Sequence, residues 1–440
     1  MKLRSLAASF VFVLACSSVS SRAPSSERTT LPVLAGAPAP ADETVRIAAW
    51  RAEGPAALAR LLAEYDRRQP GAERTRLEAT IDKVAGQRYA TWSRLYWHED
   101  LDAAKAAARA SGKPILSLRM LGRLDEDLSC ANSRFFRTTL YPDAAVAQLL
   151  RERFVLHWSS ERDVPRVTVD FGDGRTLAST VTGNSAHYVL DADGRPLDVL
   201  PGLYSPQVFR RELTAALAMF DAVKGSIGRE RDRALVAYHQ AMATDLAARW
   251  SQVPVVQTGG VARMLDAAEA DKRRIAIAVA AQRATVSKAM VEVPMLQTVD
   301  LGVDPGALPD DTALWFQIYG ELFAAKDRRV LDDRARALVD SMLSVPTGGE
   351  ALDRDARARV LVGLERTIAA DTALNEVRLR PQIRTYLVQQ LERGVPTFAE
   401  LNTWVYANVF HTPASDAWMG LLPRDTFTGL PGGAVVATTR

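Results

Sequence analysis

The chain is poor in cysteine. Only Cys16 and Cys130 occur in 440 residues, so no disulfide framework staples this fold and an apolar core must hold it together. Histidine is scarce as well. The five stand at 98, 157, 187, 239 and 411, with no His-x-x-x-His pair, so zinc is not expected. The patterns Gly-x-x-x-x-Gly-Lys-Ser/Thr and Gly-x-Gly-x-x-Gly, which cradle phosphates, do not occur, nor does a Gly-x-Ser-x-Gly elbow. Nucleotide binding and serine hydrolysis lose their usual sequence grounds, and no cofactor is expected. The longest basic run is Lys272-Arg273-Arg274 and the formal net charge is +3. A nucleic-acid binder concentrates far more positive charge on one face, so nucleic acid is not an expected partner. No stretch reaches ~18 uninterrupted apolar residues, so no transmembrane helix is expected. No repeat of fixed period is visible.

What is present begins with apolar residues, 48% of the chain. That is enough for a sizeable core, and the length suits about two or three domains. Residues 1–16 read MKLRSLAASFVFVLAC: a basic start at Lys2 and Arg4, then a short apolar run of signal-peptide length. Val13-Leu14-Ala15-Cys16 resembles the lipobox of bacterial lipoproteins. The resemblance implies cleavage before Cys16 and acylation of that residue. It places the protein in the bacterial cell envelope, lipid-anchored on the periplasmic face of the outer membrane, with the bilayer as its partner. A secreted protein with a chance cysteine is the plainer reading. If Cys16 carries lipid, Cys130 is the only thiol left, and any disulfide must be intermolecular. Residues 17–43, rich in Ser, Pro and Ala, read as a flexible tether.

Apolar spacing predicts a helical lead-in over 44–96. Asp100-Leu101-Asp102 opens an alanine-rich helix that Gly112 stops. Pro114 to Leu118 is a predicted strand, Leu121 to Ser129 a loop, and Cys130 starts a helix. Past Pro142-Asp143 a further helical turn leads to a strand at Phe154 to Trp158. Two alternating runs flank Gly172-Asp173-Gly174 and predict a hairpin over 164–182. Strands at Ala186 to Leu190 and Pro196 to Leu200 follow, then a helix beginning at Ser205-Pro206. From 207 onward helical spacing dominates, in segments 207–250, 261–288, 312–325, 330–343, 354–370, 376–392 and 398–410. The segment 412–440, rich in Pro and Gly, reads as an irregular tail.

Strand, cysteine-led helix, strand, hairpin and closing helix resemble the thioredoxin-like fold. The likeness covers residues 97–222, hairpin insertion included. It rests on Gly112-Lys113-Pro114-Ile115-Leu116, Cys130-Ala131-Asn132-Ser133, Phe135-Phe136, Pro142-Asp143 and Arg153-Phe154-Val155. The expected fold class is an α/β thioredoxin-like domain plus a large all-α C-terminal region over 223–411. In the family a Cys-x-x-Cys pair opens the helix. Here Ser133 stands where the second cysteine would be, so the site cannot close its own disulfide. The family also sets a cis-proline before the strand facing the cysteine. Thr182 to Ser185 holds none.

The candidate catalytic residues are therefore Cys130, Ser133 and His187. Backbone N–H groups at a helix start favour a thiolate at Cys130. Ser133 would donate a hydrogen bond to it. His187 reads either as a base near Cys130 or as a half-buried histidine on a sheet edge. Asp125, Glu126 and Asp127, if close, would oppose the thiolate. Asp191-Ala192-Asp193-Gly194 resembles the start of a calcium loop but lacks its later ligands. Glu365, Asp371, Asn375 and Glu376 read as a conceivable metal site or, more cheaply, as helix capping by Asp371 or Thr372; no metal is expected. Two functions stay open: single-thiol redox chemistry on an envelope protein partner, or a binding scaffold that has lost catalysis.

Overall fold

The computed structural model describes residues 40–181, 183–254, 312–323, 329–345, 351–417 and 419. Cys16 and its signal peptide, the tether up to 39, the predicted helix over 261–288 and most of the tail lie outside the described residues. Met1–Thr44 and Val45–Arg440 form two compact units; of the first, only the start of a helix is described.

That helix, α1 (Pro40–Glu53), takes the last residues assigned to the tether, with Asp42 and Glu43 in its first turn. It is followed by α2 (Pro55–Arg67), α3 (Ala72–Ala85) and the short α4 (Ala90–Ser93). Pro55 opens α2, and Leu58, Leu61 and Leu62 bury one of its faces. In α5 (Leu101–Ser111), Asp100 caps the start by accepting from Ala103 N at 2.7 Å, and Gly112 closes the end at φ 66°.

Six strands follow: β1 (Ile115–Met120), β2 (Val155–Ser160), β3 (Arg166–Asp170), β4 (Thr176–Thr180), β5 (Ala186–Leu190) and β6 (Pro196–Pro201). Four form one sheet in the order β2-β1-β5-β6. β1 runs parallel to β2, with Leu118 opposite Trp158, and antiparallel to β5, with Leu118 opposite His187. A parallel pair needs a crossover. It is supplied by α6 (Ala131–Phe135), which continues through a π-turn at Phe136–Leu140, and by α7 (Ala144–Arg153). Every residue of β5 and β6 is buried, as expected of a sheet covered on both faces. β3 and β4 pair apart from this sheet as the expected hairpin, with Phe171 and Leu177 exposed.

Among the described residues the remaining helices are α8 (Pro206–Val223), α9 (Gly228–Ser251), α10 (Thr312–Leu322), α11 (Asp333–Leu343), α12 (Arg354–Leu374), α13 (Arg380–Leu391) and α14 (Phe398–Trp404). The architecture is thus mixed α/β, a four-stranded sheet among many helices.

Two expectations are revised. Helix capping at Asp371 or Thr372 does not occur: α12 runs on through a π-turn at Asn375–Leu379 into α13. Thr372 bonds back to Ile368 O at 2.7 Å and Asn375 Nδ2 donates to Leu203 O at 2.7 Å, neither of which ends the helix. The boundary at 222 also separates no cores. One apolar core runs from Leu95 to Met419, because the later helices pack on the same sheet.

Candidate functional site

β1 delivers the chain to the loop that precedes Cys130, which caps α6 with φ −56° and ψ 154°. Its amide donates to Leu121 O at 3.2 Å, closing the loop on itself. Cys130 is 0% exposed and its sulfur is free of any disulfide. Two residues on, Asn132 is fully buried and neither side-chain polar atom has a partner.

The Ser133 hydroxyl donates to Cys130 O at 2.8 Å and, 2.6 Å from Ser129 Oγ, can accept from that hydroxyl. The geometry commits it to the loop and the first helical turn, not to sulfur. The three acidic residues before it are likewise engaged. Asp125 pairs with Arg123 and Asp127 with Arg88, each at 2.9 Å, and Glu126 lies 3.5 Å from Arg166. What faces the loop from inside is Arg137, a residue the sequence pattern does not single out. Its guanidinium donates to the carbonyls of Leu124, Glu126 and Asp127, and burial lowers its pKa to about 10. A lone arginine in the second turn of a helix gives no sequence signal; only the fold turns it under the loop.

The strand opposite completes the enclosure. A Cβ placed on Gly183 would lie 2.4 Å from Cys130 Cβ, 3.1 Å from its Cα and 3.2 Å from Ala131 N. The backbone at 183 therefore rests directly on the cysteine. Among the described residues no peptide bond is cis. Thr180 Oγ1 donates to Ser129 O at 3.0 Å, tying the hairpin exit to the same loop. Over residue 184 lies the end of the C-terminal helical region. Tyr406 donates its hydroxyl to Asn184 O, and Asn184 Nδ2 donates to Thr412 Oγ1, both at 3.0 Å. Arg162 holds the same segment through Asp416 O at 2.9 Å.

For His187 the structure corrects the edge reading. β5 is an interior strand and His187 is 0% exposed, so it is not an edge histidine. It packs between Phe136 and Phe209, at ring distances of 4.6 and 4.9 Å. Its Nε2 shares a hydrogen with the Tyr141 hydroxyl at 2.7 Å, while Nδ1 has no partner. Burial lowers its pKa to about 3, leaving it neutral. Burial, and then the neighbouring Cys130, push the Tyr141 hydroxyl well above its ordinary range.

Away from the cysteine stands a buried ionic cluster, of whose members the sequence reading singled out only Glu376. Arg380 of α13 donates to Asp198 of β6 at 2.7 Å, to Glu376 at 2.8 Å and to Glu212 of α8. Tyr238 donates to Asp198 at 2.7 Å, and Arg384 lies 3.8 Å from it. Burial opposes charge on Asp198, but Arg380 and Arg384 outweigh it and hold the carboxyl well below the usual range. The signal was available: Asp198 interrupts the apolar strand PLDVLP, and Glu212 sits beside Phe209, Leu213 and Ala216. A charge in an apolar pattern calls for a buried partner.

The weaker candidates are absorbed by protein partners. Asp191 pairs with Arg231 at 2.8 Å and Asp193 with Arg109 at 3.0 Å. Glu365 accepts from Leu331 N and pairs with Arg336 at 2.6 Å. Among the described residues no cluster of three His, Cys, Asp or Glu side chains could hold a metal. Comparison with family models, curated proteins and solved structures yields no match for this chain.

Proposed function

We propose that this chain is a thioredoxin-like protein of the bacterial cell envelope, anchored through acylated Cys16, whose thiol site is closed and which serves as a binding scaffold for an envelope protein. The thioredoxin-like reading draws support from the sheet order and from where the cysteine sits. The Cys-led helix leaves β1, the central parallel strand, and the segment entering β5 lies against the cysteine. In the family that segment carries the cis-proline; here Gly183 occupies it.

The observation that carries the scaffold reading is the complete burial of Cys130 under Gly183 and the Asn184 bonds to Tyr406 and Thr412. A thiol that forms a mixed disulfide must be reached by a partner's sulfur along the S–S axis. With Ser133 in place of a second thiol, no internal group would resolve such an adduct. Alkylation of Cys130 in the folded protein is the test. Slow reaction, limited by opening of the chain, together with partner capture that survives Cys130→Ser, is the expected result.

A second reading, single-thiol redox chemistry, is favoured by one observation: the buried side chain of Asn132, two residues after the cysteine, has no polar partner. Alkylation at the rate of a free thiol, with a partner trapped through Cys130 and lost in Cys130→Ser, would establish it instead. The anchor is tested separately. Cys16→Ser should release the protein from membranes, and unchanged retention refutes the lipoprotein assignment.

A further inference from the structure

Two apolar clusters fail to merge in this fold. The smaller, built by α2 and α3 around Leu58, Leu62 and Ile81, is separate from the main core. Between them lies a cleft of about 620 Å³, within the range of about 300–1,000 Å³ usual for small-ligand sites. Leu58 and Leu62 form one wall; Leu150, Phe154 and Leu156 form the other. Ala59, Ala63 and Ala107 line it too, and their short side chains keep it open. β2 contributes because it is an edge strand of the sheet.

The mouth of the cleft differs from its floor. Arg94, Lys113 and Arg151 line it beside a single carboxylate, Asp66. Asp66 pairs with Arg94 at 2.6 Å. The other two cations are held by carbonyls: Arg151 donates to Ser93 O, and Lys113 to Arg151 O, each at 3.2 Å. Neither contact neutralises charge. Arg334 adds to the group: burial lowers its pKa first, then repulsion from Arg94 and Arg151, with Asp332 and Asp66 opposing. Asp332 itself accepts from Ala144 N and Ala335 N at 2.8 Å.

From this division we infer that the cleft binds a single-chain amphiphilic anion, a long-chain carboxylate, with its alkyl chain between α2 and β2 and its head at Lys113 and Arg151. The site stands apart from Cys130 and does not depend on the thiol reading. An apolar floor alone would accept any hydrocarbon. The cationic rim selects the sign of the head group, since ionised donors bond carboxylates more strongly than neutral ones do.

Titration calorimetry of the full chain with laurate, dodecyl phosphate, dodecanol and dodecyltrimethylammonium tests this. Laurate should bind best, and affinity should rise up to about fourfold for each methylene from C8 to C12. Tighter binding of dodecyl phosphate would overturn the carboxylate in favour of a phosphate head. Lys113→Gln and Arg151→Gln should each weaken laurate about tenfold and leave dodecanol unchanged. Ala63→Trp, at an exposed position on α2, should fill the cleft and abolish both while circular dichroism stays that of the parent. Absence of laurate binding at millimolar concentration, equal affinity for the cationic amphiphile, or indifference to Ala63→Trp would each overturn the inference.

Discussion

Gly183→Ala is the sharpest probe of the closed thiol. The added methyl would meet Cys130 Cβ at 2.4 Å, Cys130 Cα at 3.1 Å and Ala131 N at 3.2 Å. Carbon atoms rest at about 3.5–4.0 Å, so one side must retreat by roughly an ångström. The obstacles are a Cβ and the backbone of a helix start, not the tip of a flexible side chain. Overpacking of this kind costs about 1–3 kcal/mol, and the rigid neighbours argue for the upper half. Alanine stiffens the unfolded chain and returns at most about 0.4–1 kcal/mol. The net loss should be about 2 kcal/mol. Gly363→Ala is the internal control: Gly363 lies in α12, and a methyl added there would have nothing within 4 Å, so it should gain about 0.5–1 kcal/mol. Urea unfolding gives both values. A double-mutant cycle with Cys130→Gly, which removes the atom at 2.4 Å, should recover a good part of the loss. If Gly183→Ala unfolds with an unchanged midpoint, the close approach of residue 183 to Cys130 is refuted and the thiol is more open than argued.

Three further outcomes follow from the geometry. Arg380→Met leaves Asp198 and Glu212 buried without their main cation and should cost about 3–5 kcal/mol in urea unfolding. Arg88→Gln, which breaks a pair with the exposed Asp127 and removes a cation from the buried Asp82, should cost less than that; equal losses would contradict the weight given to burial. Asp143→Ala removes a cap that accepts from Ala145 N and Val146 N and should lower stability by about 1 kcal/mol. The pH dependence has a definite sign. Burial lowers His187 to about 3 and His157 and His239 to about 4, against about 6.5 when unfolded. The unfolded chain therefore binds more protons, and the stability these residues allow, complete above pH 6.5, is lost as pH falls toward 4. Asp82, raised to about 6 by burial, works the other way below pH 6. A net of two protons gives a slope of about 2.7 kcal/mol per pH unit between pH 6 and 4.5. Stability that stays level from pH 7 to 4.5 would show these histidines to be solvated.

Local pattern determined much of this protein. Alternation and apolar runs marked β1, β2, β5 and β6, the glycines at 172 and 174 marked the hairpin, and Asp100, Asp143 and Ser205 announced their helices because a cap acts within three residues. The place of Cys130 at a helix start, with Ser133 three residues later, was legible for the same reason. Pairwise partners over long separations were not. Nothing near Cys130 in sequence says that Gly183 lies on it, that Tyr406 and Thr412 close over residue 184, or that Arg137 turns under the loop. Asp198 and Glu212 could be flagged as misplaced charges, but not matched to Arg380, more than 160 residues away. Sequence spacing sets which face a side chain takes on its own element. Which distant element meets that face is decided by packing of the whole core, and here that packing buries Cys130 completely.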